Sequence, residues 1–227
     1  MLPDPTARSR ARSREQTAEA DTLRFVLVWV NGAFGAGKTQ TAHELCRRLP
    51  NAHVADPELL GFALHKMLPP AARGDFQDLP QWRAGLVAVL QQAETSHDGP
   101  VIVPMTIVRD DYFDEIIGGL RSRGVDVRHY ALTATPDTLR KRLRHRIAYV
   151  GTLLGRDETW AVRQIDRCVA ALSTERYAVR VPTDGRCVDE VVEHLARDIG
   201  LTLTRPRLPP VRRRLRRLAV GARHIRL

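Results

Sequence analysis

Residues 25–39 read Phe25-Val26-Leu27-Val28-Trp29-Val30-Asn31-Gly32-Ala33-Phe34-Gly35-Ala36-Gly37-Lys38-Thr39. The last eight complete the pattern G-x-x-x-x-G-K-[ST]. An apolar strand-like run leads into them, and a helix-like stretch, Gln40 to Leu49, leads out. That context reads as a phosphate-binding loop. Its glycines let the backbone turn N–H groups onto phosphate oxygens, Lys38 reaches the β- and γ-phosphates, and the Thr39 hydroxyl holds Mg²⁺. The helix N-terminus adds a partial positive charge. Gly32, Ala33, Phe34, Gly35, Ala36, Gly37, Lys38, Thr39 and Gln40 are therefore the expected nucleotide-binding residues. A glycine-rich turn that binds nothing would not need strand, loop, Lys-Thr and helix to agree.

Outward from the loop, strand and helix signals alternate. Strands are expected at 24–30, 52–55, 101–103, 126–132 and 177–181. Helices are expected at 38–49, 58–68, 81–95, 112–123, 136–145, 162–172 and 188–199, with 71–80 a loop and 147–160 irregular. Alternation of this kind implies an α/β fold with helices on both faces of a parallel sheet. The expectation is a three-layer P-loop fold with a five-stranded parallel sheet, of the adenylate or shikimate kinase type. Such sheets bind ligands at the carboxyl ends of their strands. There lie 31–39, Asp56, 104–109, 133–135 and Pro182-Thr183-Asp184-Gly185.

Asp56 follows the second strand. A carboxylate there can orient or deprotonate an acceptor hydroxyl, or help Thr39 hold Mg²⁺; as Asp56-Pro57-Glu58 it is also good helix-start chemistry. Strand three ends in Pro104-Met105-Thr106 rather than an acid, which points away from motor ATPases and toward small-molecule phosphoryl transfer, a reaction catalysed mostly by positioning and charge neutralisation. Arg142 and Arg146 share a helix face at i and i+4. Beside a lid at 147–160 they would neutralise the transferring phosphoryl group, with Arg163 and Arg167 approaching from the far side; a solvated basic face is the alternative. Lys38, Asp56, Arg142, Arg146 and Arg167 form the catalytic set. Thr106 and Arg109 are read as substrate contacts or plain loop residues. The stretch Asp75-Phe76-Gln77-Asp78 with Trp82-Arg83 would cover the acceptor; Trp82 reads as core ahead of a ligand stack, and Arg83 as a substrate contact or a plain structural residue. Pro182 to Gly185 would seat an adenine ring or make a simple turn.

The net charge of +10 belongs to the tail. Residues 205–227 carry nine arginines and no acid, and without them 27 basic residues face 26 acidic ones. A nucleic-acid enzyme would spread basic residues over its binding face, so no nucleic acid is expected as a partner. Val211, Leu215 and Leu218 recur at helical spacing among these arginines, as in a basic helix lying on an anionic membrane; a disordered tail has the same composition. Residues 1–22 read as a disordered extension, 23–204 as one domain and 205–227 as the tail. No run of roughly 18 apolar residues suggests a membrane span, and no secretory signal is recognisable. Cys46, Cys168 and Cys187 are too few and too scattered for a disulfide framework or zinc site, which suits a reducing cytoplasm.

With these segments in hand, the chain resembles the bacterial tunicamycin-resistance proteins. The match runs through Trp29 to Thr41, Asp56-Pro57-Glu58, Gly61-Phe62-Ala63-Leu64 and Asp75-Phe76-Gln77-Asp78. It continues in Ile102 to Val108 and Gln164-Ile165-Asp166-Arg167-Cys168, and spans roughly residues 24–200. The resemblance implies ATP binding, a nucleoside-kinase-like fold and protection from a lipid-linked nucleoside antibiotic whose hydroxyls are phosphorylatable. It also implies a C-terminal amphipathic segment that holds a cytoplasmic protein at the inner face of the membrane. Residues 1–22 have no counterpart in that pattern, and 147–160 is longer than it. Two other readings remain open: a kinase for an ordinary nucleoside or sugar, and a binder that uses ATP without phosphorylating the drug.

Overall fold

The computed structural model describes residues 26–150, 155–177 and 179–223; the expected N-terminal extension lies outside them. Five strands, β1 (Val26–Gly32), β2 (His53–Val54), β3 (Val101–Pro104), β4 (Asp126–Thr133) and β5 (Arg180–Pro182), form one parallel sheet in the order β2-β3-β1-β4-β5. β1 is central and every residue in it is buried. Val26, Val28 and Val30 join one core cluster and Leu27 and Trp29 the other, as the period-two alternation of a strand requires. A strand covered on both faces reads as an unbroken apolar run, which is how 25–30 reads.

Helices α1 (Lys38–Arg48), α5 (Pro136–Val150), α6 (Gly155–Leu172) and α7 (Val188–Ile199) cover the first face. Helices α3 (Pro80–Ser96) and α4, which runs from Asp110 to Arg121 with a π-helical segment at Asp114–Gly118, cover the second. Helix α2 (Pro57–Met67) follows β2, and α8 (Pro210–Arg223) ends the described chain. The three-layer P-loop architecture is thus as expected. Trp82 is fully buried, its Nε1 donating to the Pro57 carbonyl at 3.1 Å.

Three local expectations need correction. The segment 147–160 is not irregular throughout: α5 runs to Val150 and α6 begins at Gly155. Gly151 and Gly155 are the only helix breakers between 137 and 181, so nothing stops α5 at residue 145. Residues 151–154 lie outside the described residues, so the tip of the expected lid is not placed. The loop at 71–80 contains 3₁₀ turns at Pro70–Ala72 and Phe76–Asp78. Glu175–Tyr177 is also a 3₁₀ turn, which shifts β5 to Arg180–Pro182. Of the two readings of the tail, the helix is the one found, over Pro210–Arg223, and it docks on the body. Among the described residues no helix is long and apolar enough to cross a membrane.

Candidate nucleotide and acceptor site

The loop between β1 and α1 holds the expected phosphate cradle. Gly37 caps α1 with φ 98° and contributes no side chain to the helix end. The first N–H groups of a helix lack intrahelical partners, and space is open where a Cβ of residue 37 would stand. Gly35, at φ +84°, has its Cα backed against α5, where a Cβ would meet the Leu139 carbonyl at 3.0 Å. Lys38 Nζ donates to the Gly32 and Ala33 carbonyls at 3.0 and 3.2 Å and lies 5.3 Å from the Phe34 ring centroid. Phe34 in turn meets Trp160 of α6 edge-on at 5.1 Å. A cation, open helix-terminal N–H groups and no acidic residue in the first turn of α1 fit a polyphosphate. Among the described residues no group of three or more His, Cys, Asp or Glu side chains forms a cation site of its own; a Mg²⁺ ion would lean on Thr39 and on phosphate oxygens.

A buried polar bracket fixes where the loop starts. Asn31 is fully buried. Its Oδ1 accepts from Gly32 N at 2.8 Å and Ile107 N at 3.1 Å. Its Nδ2 donates to the Ile107 carbonyl at 2.8 Å and faces His129 Nε2 at 3.1 Å. That fills all four hydrogen-bonding positions of the amide. Burial first, then the Arg121 charge, lowers the His129 pKa from 6.5 to about 4. The ring is therefore neutral and accepts at Nε2. The unfolded chain takes up a proton near pH 6.5 that the native state refuses, so stability falls as pH drops from about 6.5 toward 4. The loss attributable to this ring should approach about 3 kcal/mol. Denaturant unfolding at pH 7 and pH 4.5 measures it, and His129→Gln should flatten that part of the slope; an identical slope in the variant would refute the assignment.

The segment after β3 forms the opposite wall. Thr106 Oγ1 donates to the Gly32 carbonyl at 2.8 Å, the same oxygen that Lys38 contacts. Gln77 Nε2 donates to the Thr106 carbonyl at 3.0 Å, and Arg83 Nη1 donates to the Gln77 carbonyl at 2.6 Å. Arg83 also pairs with Glu115 at 2.5 Å. The Arg83 and Arg109 guanidinium carbons lie 4.2 and 4.1 Å from the Tyr112 ring centroid. The Tyr112 hydroxyl donates to Asp78 at 2.5 Å, and burial, with Asp78, raises its pKa. His129 and Tyr112 carry no signal of this role in the sequence, and Asn31 is marked there only as part of 31–39.

Asp56 caps α2 by accepting from Glu58 N at 3.0 Å. Because β3 lies between β2 and β1, Asp56 stands two strand spacings, about 10 Å, from the strand that carries the loop. Arg142 lies on the other side of the loop. It donates to Thr183 Oγ1 at 2.9 Å and to the Thr183 carbonyl at 2.6 Å, at the turn after β5. Asp184 in that turn accepts from Thr135 N and Oγ1 at 3.1 and 3.0 Å, and hydrogen bonds from Thr138 and Thr135 hold its carboxyl below the usual range. Arg167 is exposed on α6. Burial raises the pKa of Cys168 beside it, and the charges of Lys38 and Arg167 oppose that shift. The Arg146 side chain lies outside the described residues. A cavity of about 230 Å³, bounded by Ala33, Leu132, Val169 and Leu172, adjoins the loop.

A five-stranded parallel sheet with this loop after its central strand defines a kinase-like P-loop nucleotide-binding domain, and the sequence profile described as "AAA domain" matches residues 27–172. The chain belongs to the tunicamycin-resistance protein family. It is 32% identical to the tunicamycin resistance protein of Deinococcus radiodurans, with a TM-score of 0.66 over 80% of this chain and 99% of that one. The fold is shared with a gluconokinase from Sinorhizobium meliloti (16% identity, TM-score 0.54, 78% and 93% covered). It is shared too with a sugar kinase from Janibacter (15% identity, TM-score 0.53, 77% and 95% covered). No curated protein matches the sequence.

Proposed function

We propose that the protein is an ATP-dependent phosphotransferase that modifies a tunicamycin-like nucleoside. The observation that supports this reading is the Thr106 hydrogen bond to Gly32. Through it the polar wall of Gln77, Asp78, Arg83, Arg109 and Tyr112 abuts the phosphate loop, where an acceptor would meet the terminal phosphoryl group. In this reading Gly32 to Gln40 hold ATP, with Lys38 on its β- and γ-phosphates. An acceptor hydroxyl oxygen bonds to the γ-phosphorus as the bond to the ADP oxygen breaks, and Asp56 takes the hydroxyl proton. Arg142, Arg146 and Arg167 neutralise the transferring charge. Mg²⁺, held by Thr39 and phosphate oxygens, would supply further charge neutralisation when bound. The outward row Val211, Leu215 and Leu218 on α8, exposed by 73%, 62% and 40%, would rest on an anionic membrane at the cytoplasmic side.

Incubation with ATP and tunicamycin, followed by mass spectrometry, should show the drug heavier by one phosphoryl group, with ADP formed in equal amount. Tight drug binding without that gain would sink the transferase reading and leave an ATP-dependent binder. Phosphorylation of a common nucleoside or sugar in place of the drug would assign an ordinary metabolic kinase.

A further inference from the structure

The basic tail folds back onto the phosphate-loop helix. Arg213 Nη1 pairs with buried Asp189 at 3.2 Å. Arg216 reaches the His43 carbonyl at 3.4 Å and Glu44 at 3.8 Å, and Val220 is buried. The Arg217 carbonyl accepts from Gln40 Nε2 at 3.1 Å, two residues beyond Lys38. The approach is clamped as well: Arg207 pairs with Glu193, and Thr204 N donates to the Arg48 carbonyl at 2.9 Å. On a helix, 213, 216, 217 and 220 share one face, opposite 211, 215 and 218. Docking therefore consumes the inner face and leaves the apolar row outside.

We propose that α8 is a constituent of the nucleotide site, with Arg217 as an additional nucleotide-binding residue. The inference rests on the nucleotide reading of the phosphate loop. Arg217 is exposed and, among the described residues, its guanidinium pairs with no acid, whereas Arg213 and Arg216 are tied to the body. Burial lowers the Arg142 pKa, nearby Asp184 opposes that shift, and the Arg217 charge adds to it. The Gln40 hydrogen bond to the Arg217 carbonyl holds this residue at the first turn of α1, and an anion bound there relieves the repulsion between like-charged guanidinium groups that Asp184 offsets only on the Arg142 side. A nucleotide is that anion. Its binding then favours the docked tail, and by linkage the docked tail favours nucleotide to the same degree.

Titration of full-length protein with ADP tests this. Arg217→Ala should weaken binding about fivefold, the upper range for an exposed ion pair, and Arg217→Lys should restore most of it. Arg213→Ala, which loosens docking without touching the nucleotide, should weaken binding by less. Arg212→Ala, on an exposed position, should leave it unchanged. Saturating ADP should also slow tryptic cleavage within 212–217. Unchanged affinity in Arg217→Ala together with unchanged tryptic cleavage overturns the proposal. An equal loss in Arg212→Ala also overturns it, because a diffuse tail charge would then suffice. If the wild-type chain itself fails to bind ADP, the phosphate-loop reading falls and this inference falls with it.

Discussion

Lys38→Ala should lose nucleotide affinity by about 30- to 150-fold while remaining folded. The ammonium group is the one cation anchored inside the loop among the described residues, held by the Gly32 and Ala33 carbonyls. When a nucleotide enters, those neutral acceptors are exchanged for phosphate oxygens, and hydrogen bonds between charged groups contribute about 2 to 3 kcal/mol. A loss of that size is the stated range in affinity. The fold should tolerate the change, because the side chain is only part-buried and its partners are carbonyls at the edge of an open loop. Unfolding free energy should shift by less than about 1 kcal/mol. Isothermal titration with ADP and denaturant unfolding separate the two effects. Affinity within threefold of wild type would refute the phosphate-loop role of Lys38. A collapse in stability would instead show that Lys38 holds the loop together. Lys38→Arg should recover only part of the binding, since a planar fork cannot occupy the space of a compact ammonium.

The parts of the molecule legible in the sequence are those whose causes are local. The phosphate loop, the apolar run of β1 and Asp56 as a helix cap each depend on neighbours within a few turns of chain, and Trp82 as core follows from the apolar period of its own helix. The fold class followed from the alternation of such signals. What escaped was set by distant partners. The contacts of Asn31 with Ile107 and His129 span 76 and 98 residues, and no periodicity at position 31 announces them. The stacking of Arg83 and Arg109 on Tyr112 depends on α3 and α4 meeting across the end of β3. The tail showed its amphipathic period, yet the choice between membrane, solvent and body for each face depended on Asp189, Glu44 and Gln40, which belong to α7 and α1. Arg142 was legible as a basic residue on a helix, but its hold on Thr183 was not, because β5 lies beyond both α5 and α6. The helical ends of the expected lid were missed for a different reason: Gly151 and Gly155 interrupt the pattern and make all of 147–160 read as irregular, whereas the helices run up to Val150 and start again at Gly155.

Asn31→Leu should be the most destabilising single change near the site, by about 3 to 5 kcal/mol. Leucine fills a similar volume, so the cost is not a cavity. It is the stranding of four groups, Gly32 N, Ile107 N, the Ile107 carbonyl and His129 Nε2, in a place water does not reach. Each buried polar atom left without a partner costs about 1 to 3 kcal/mol, and relaxation recovers part of the total. Nucleotide affinity should fall too, since Gly32 begins the loop and its N–H would no longer be held toward β3. Asn31→Asp separates the contributions. Its carboxylate keeps the acceptor for the Gly32 and Ile107 N–H groups but presents an oxygen to His129 Nε2. The ring then gains by protonating, so the His129 pKa should rise from about 4 toward or above its ordinary 6.5, because a neighbouring negative charge favours the imidazolium. The acid-side loss of stability assigned to His129 should shrink accordingly, since a raised folded-state pKa lets the native state take up the proton at the same pH as the unfolded chain. Proton NMR of the imidazole resonances across pH 4 to 8 follows this directly. A His129 titration that stays near 4 in Asn31→Asp, or an Asn31→Leu protein that unfolds within 1 kcal/mol of wild type, would show that the bracket does not hold the loop.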